Sequence, residues 1–200
     1  MIQQLNENWI LQSGTAEGIR TNIPCSVYDC LIRAGKIPDP YFGENQYAAL
    51  ELSDGNYVFE HTFSPARDIL SCEKIYLRFN GIDTLAEISL NGSVIGRAEN
   101  MHRIYEYDVT GLLKEGRNLV SVKLFSPLDY IRSAQKQNPA WGVNSTVDGF
   151  PQIRKAHYMF GWDWGPQLPD LGIWRGVELV GVSGGRIESV YVKQEHSGKE

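Results

Sequence analysis

A chain of 200 residues can bury a full hydrophobic core, and a composition of 42% hydrophobic and 22% charged residues is that of an ordinary globular protein. The formal net charge of −5 gives no basic footprint for nucleic acid, and no apolar run approaches bilayer-spanning length. Met1-Ile2-Gln3-Gln4-Leu5-Asn6-Glu7 has neither the basic nor the apolar region of a signal peptide, and Cys25, Cys30 and Cys72 form no CxxC pair. The expectation is therefore a cytoplasmic protein whose thiols are reduced and buried, with no membrane association.

Residues 8–11 read as a short strand anchored by Trp9. Ser26 is placed to cap a helix over 27–34, with Asp29 in its first turn and Gly35 as its stop. Residues 37–45, Ile-Pro-Asp-Pro-Tyr-Phe-Gly-Glu-Asn, form a punctuated loop with two aromatics, suited to covering something. From residue 57 the rhythm becomes that of strands. Residues 57–63 and 74–79 alternate, the second with Ile75, Leu77 and Phe79 on one face. Segments 86–90 and 94–96 flank Asn91-Gly92, a strong hairpin signal. Strands follow at 105–109 and 118–125, joined by a one-turn connector at 110–116. Pro127 ends the second, and 128–143 is open between a helical turn and an extended loop. Residues 173–180 return to strand. After Gly184-Gly185, residues 186–193 alternate again, as an edge strand of the same layer or the first strand of another domain. Many short strands with little helix predict an all-β antiparallel sandwich carrying one or two short helices.

The chemistry concentrates at Gly161-Trp162-Asp163-Trp164-Gly165-Pro166. As a strand it would put both indoles on one face and Asp163 on the other; as a tight loop it could turn all three into one cleft. Flat rings stack on the C–H face of a sugar, and a carboxylate accepts its hydroxyl protons. The residues alone leave a second arrangement open, with both indoles in the core and Asp163 capping a turn or paired with Arg154 or Lys155. Arg154 and Lys155 are candidates to orient Asp163 or to touch the sugar themselves. His102 has no second His or Cys at ligand spacing, so no metal is expected and a hydrogen-bonded structural role is. Asp83, Glu87 and Asp108 lie in strand and turn segments and are not assigned acid/base roles. No GxSxG nucleophile motif or phosphate-binding glycine loop is present.

The order of Pro24-Cys25-Ser26-Val27, the 37–45 loop, Phe79-Asn80-Gly81-Ile82-Asp83-Thr84, Leu90-Asn91-Gly92, Asn100-Met101-His102-Arg103 and Tyr107-Asp108-Val109-Thr110 resembles the N-terminal region of β-mannosidases, in the glycoside hydrolase family 2 group. Arg154-Lys155-Ala156, the 161–166 stretch and Gly172-Ile173-Trp174-Arg175 extend the resemblance, which runs from about Trp9 to the end. Tyr57 departs from it, where such sequences more often carry Trp. The resemblance implies a jelly-roll, galactose-binding-like sandwich over 1–183. It implies that 184–200 are a linker and the first strand of a truncated immunoglobulin-like domain, with a TIM barrel beyond carrying the acid/base and nucleophile glutamates. On this resemblance the chain holds no catalytic residue and no cofactor. Trp162, Asp163 and Trp164, with Arg154 and Lys155, would contact a terminal β-mannoside; the alternative is an autonomous carbohydrate-binding module.

Overall fold

The alternating segments pair into two facing antiparallel sheets. In the computed structural model, which describes residues 1–12 and 18–198, one sheet has six strands and the other four. The larger is built from β2 (Trp9–Gln12), β3 (Ile19–Thr21), β5 (Tyr57–Phe63), β7 (Ala86–Leu90), β8 (Ser93–Ala98) and β10 (Asn118–Leu124), in the order β3-β2-β5-β10-β7-β8. The smaller orders β1 (Ile2–Gln4), β12 (Val177–Val182), β6 (Lys74–Phe79) and β9 (Tyr105–Asp108) as β1-β12-β6-β9. A further pair, β4 (Cys25–Ser26) with β11 (Gly172–Ile173), closes one end. Together they make the all-β antiparallel sandwich that the periodicity predicts.

Period-two burial explains the core. Ile75, Leu77 and Phe79 face inward from β6, and Leu11, Phe59, Ile88, Val120, Val122 and Leu124 meet them from the larger sheet. Trp9 is fully buried, and its indole N–H donates to the Leu5 carbonyl at 2.6 Å, so its polar atom is satisfied. Tyr57 is buried as an anchor and donates its hydroxyl to the Leu52 carbonyl at 2.9 Å. Asn91 and Gly92 both take positive φ, 53° and 86°, the geometry of the tight hairpin expected there. At the sheet edge β1 runs antiparallel to β12, with Ile2 opposite Val180 and the Met1 ammonium donating to the Gly181 carbonyl at 2.7 Å.

Helix is more abundant than the one or two short elements expected. The capped helix appears as α1 (Val27–Arg33), with Ser26 accepting from the Asp29 amide at 3.2 Å. Three more join it: α2 (Asn45–Leu52), α3 (Arg67–Leu70) and α4 (Pro127–Gln137). The open reading of 128–143 resolves as α4, begun by Ser126 as cap and Pro127 in its first turn. The strand expected over 173–180 breaks after Ile173: half-buried Trp174, whose indole N–H donates to the Met101 carbonyl at 3.1 Å, and exposed Arg175 intervene before β12 begins. Residues 186–193 form no strand; half-buried Arg186 pairs with Glu106 of the smaller sheet at 2.9 Å, and residues 187–193 are exposed. All three cysteines are buried and free. Among the described residues no helix is long and apolar enough to cross a membrane.

Candidate functional site

The 161–166 stretch lies in the long connection between α4 and β11. A 3₁₀ turn, His157–Phe160, precedes it and drives Phe160 into a small apolar cluster with Leu128, Ile131 and Ile153. Gly161 then adopts φ 94°, where a side chain would also meet Gln167. Trp162 and Gly165 exchange backbone hydrogen bonds at 3.2 and 3.3 Å, so Asp163 and Trp164 form the tip of a two-residue turn. The returning arm is fixed by Leu168 N–H to the Met159 carbonyl at 2.8 Å, and Leu168 packs against Tyr28 and Ala49.

The turn therefore stands out from the core. Trp164 is 84% exposed and Trp162 48%, which excludes the arrangement with two core indoles. Asp163 is exposed and has no ion pair among the described residues. Across from it lies the punctuated 37–45 loop, whose Asp39 carboxylate accepts from the Tyr41 amide at 2.9 Å and whose Tyr41 and Phe42 rings are exposed. Two clefts flank the turn. One, about 440 Å³, lies between Trp162–Gln167 and Tyr41, Gln46 and Tyr47; among the described residues Asp163 is the only carboxylate on its wall. The other, about 650 Å³ and more apolar, is walled by Tyr28, Ile32, Tyr41, Tyr158, Trp162 and Trp164. Flat exposed rings beside a free carboxylate suit a hydroxylated ring with an apolar face.

The basic pair next to this region divides. Lys155 is fully buried: its ammonium donates to the Asp83 carboxylate and to the Asp170 backbone carbonyl. It neither bonds Asp163 nor reaches solvent, so the expected roles of touching the sugar or orienting Asp163 directly are corrected. The reason is a carboxylate far away in sequence that takes its charge inside. Arg154 is exposed, but it lies on a separate cleft with His102, His157 and Tyr158 and makes no bond to Asp163. His102 is exposed too; its backbone amide donates to Asn100 at 2.9 Å, and its ring makes no hydrogen bond among the described residues, unlike the structural role expected.

Beneath the turn sits the polar group that the sequence reading missed. Asp83 exchanges backbone bonds with Gly172 at 2.8 and 2.9 Å. The Asp170 carboxylate accepts from the Tyr28 and Leu171 amides at 3.1 and 2.7 Å. Burial pushes Asp170 up to about 6, against the opposing hydrogen bonds of Ser26, Tyr28 and Leu171. Burial likewise pushes Lys155 down, opposed by Asp83. The Tyr28 hydroxyl pairs with Ser53 at 2.6 Å, and Ser53 donates to the Pro169 carbonyl at 2.8 Å. Asp170 stands in no recognisable motif; Asp83 lies within the resemblance, but only its partner reveals its role. Glu87 and Asp108 are held by Arg97 and Lys74 at 3.0 and 2.7 Å, as side chains of sheet and turn. Among the described residues no cluster of His, Cys, Asp and Glu could hold a metal.

A family model, glycosyl hydrolase 2 galactose-binding domain-like, matches residues 9–175. The chain belongs to that family. It is 32% identical over 184 residues to a β-mannosidase of Bos taurus, covering 88% of this chain and 21% of that protein. It is 35% identical over 161 residues to β-mannosidase B of Neosartorya fischeri, covering 78% and 19%. A crystal structure of a β-D-mannosidase from Dictyoglomus thermophilum superposes with a TM-score of 0.92 at 35% identity, covering 99% of this chain and 24% of that one. The exo-chitosanase of Amycolatopsis orientalis, at 16% identity and TM-score 0.66, shares the fold. The chain thus spans about a fifth of the length of the curated relatives it matches.

Proposed function

We propose that this chain is the sugar-contacting N-terminal domain of a β-mannosidase-like retaining exo-glycosidase. The observation that carries the reading is the exposed Trp162-Asp163-Trp164 turn, with its free carboxylate between two unburied rings. Asp163 accepts hydroxyl protons of the terminal β-mannoside, and the indoles, with Tyr41 opposite, wall the pocket. Retention needs two carboxyls about 5 Å apart across the scissile bond. In this reading a TIM barrel elsewhere in the same polypeptide supplies that pair, and this domain supplies one wall. Residues 184 onward lead into an immunoglobulin-like domain, and the exposed Ile187, Val190 and Val192 belong to its first strand. A cytoplasmic location is proposed on the three free buried thiols.

The test is Asp163→Ala in the full-length polypeptide, assayed on an aryl β-mannoside. A hydrogen bond to a charged group of about 2 kcal/mol predicts at least an about 30-fold fall in kcat/KM, with the melting profile unchanged. Unchanged kcat/KM would refute the assignment. The second reading, an autonomous carbohydrate-binding module, is favoured by the open clefts on both sides of the turn. Calorimetric titration of mannobiose into the 200-residue chain separates the two. A half-site gives no saturable heat, since one loop buries too little sugar to offset the cost of association; a module gives a binding isotherm.

A further inference from the structure

We infer that Asp83, Lys155 and Asp170 form a positioning clasp for the Trp162–Trp164 turn, an inference that rests on the sugar-contacting reading above. Lys155 and Asp170 are the two roots of the loop formed by residues 156–169. The Lys155 ammonium joins them directly, through the Asp170 backbone carbonyl, and its counter-charge Asp83 is held to the base of β11 through Gly172. The same Asp170 carboxylate accepts from the Tyr28 amide at the start of α1, and Tyr28 walls the larger cleft. One buried group therefore sets both the loop that carries the indoles and an element on the far side of the cleft.

Stability alone does not account for such a group. A buried ammonium loses its hydration, and well-packed apolar side chains of similar volume commonly stabilise a fold as well or better. What an ion pair adds is direction: a charged donor aimed at two acceptors fixes the separation and tilt of the loop roots. Beyond the roots the arms of the loop are held by Val147 to Phe160 at 3.0 Å, Leu168 to Met159 at 2.8 Å, Gln167 to Ser145 at 3.3 Å, Ser53 to Pro169 at 2.8 Å and the packing of Phe160 and Leu168, while Asp163 and Trp164 at the tip make no hydrogen bond outside the loop among the described residues. The turn at its tip thus inherits the geometry of its base. In a pocket that orients a sugar, a displacement of about 1 Å can cost about 100-fold in rate.

The experiment replaces both charges of the ion pair together, Lys155→Met with Asp83→Asn, in the full-length polypeptide, so that neither partner is left without the other. We expect folded protein whose kcat/KM on an aryl β-mannoside falls about 10- to 100-fold. In an Asp163→Ala background the same pair should cost less than about 3-fold, because the contact being positioned is gone. An equal loss in both backgrounds, or no loss in either, overturns the clasp. If that double variant does not fold, Lys155→Gln with Asp83→Asn, which removes the same two charges but keeps a neutral donor and acceptor, carries the same comparison. A silent Asp163→Ala sinks the sugar-contact reading instead. The clasp is then judged by hydrogen exchange of the amides of residues 156–169, expected to quicken at least about 10-fold in the variant, unchanged exchange overturning it.

Discussion

Asp170 is a buried carboxyl whose protonation the fold disturbs, and Asp170→Asn turns that into a measurement. Its folded-state pKa is pushed up to about 6, against an ordinary 3.8, by burial beneath the loop. The folded state therefore holds this proton more tightly than the unfolded chain. The group's contribution to stability is greatest below pH 3.8 and declines as pH rises to about 6, above which the loss is complete. That displacement corresponds to about 3 kcal/mol at full ionisation. Asparagine keeps an acceptor for the Tyr28 and Leu171 amides and cannot ionise. Urea unfolding of the wild-type and variant 200-residue chains, followed by tryptophan fluorescence from pH 3.5 to 8, gives the difference directly, since the other carboxylates cancel. The variant should gain on the wild type by about 3 kcal/mol across pH 4 to 6 and hold a constant offset above it. A difference that stays flat with pH, or that moves in the opposite sense, would refute the account of Asp170 as a carboxyl strained by burial.

Three further substitutions separate fold from site. Phe160→Ala, which empties a fully buried position against Leu128, Ile131 and Ile153, should cost about 3–5 kcal/mol and lower the melting temperature by about 6–20 °C. Trp164→Ala, at an 84% exposed position, should stay within about 0.5 kcal/mol; a large loss there would mean that the indole is structural. Gly92→Ala puts a Cβ at φ 86° in the hairpin and should cost about 1 kcal/mol in chemical denaturation.

How far the sequence could be read depended on how local each cause was. The patterns of residues 57–63, 74–79 and 118–125 carry their own burial, and the strands found are Tyr57–Phe63, Lys74–Phe79 and Asn118–Leu124. Asn91-Gly92 and Ser26 work through backbone atoms within a few residues, and both act as their chemistry requires. α4 also had a local signal, Ser126 before Pro127 with Asp129 in the first turn, outweighed by its polar composition. α2 had none, since Glu44 makes no side-chain cap bond. Glycines and Pro166 made the 161–166 turn legible as a tight loop, and its exposure is what the sugar reading requires. Lys155 is the opposite case. Beside exposed Arg154 it reads as half of a solvated pair, yet its partner lies 72 residues upstream, and only the tertiary fold brings them together.

The pairing of β1 with β12 has a mechanical consequence. Met1 sits opposite Gly181, so a pull applied between Met1 and residue 184 meets the two antiparallel strands at the same end. Their hydrogen bonds run across the strands and would be loaded one after another, as a zipper is opened, instead of resisting together in shear. Strand β1 is short and its neighbours Val180 and Glu178 remain paired to β6, so tension would peel away a three-residue edge first. The sheet interior, and the loop roots at Lys155 and Asp170, would stay unstrained until that edge had gone.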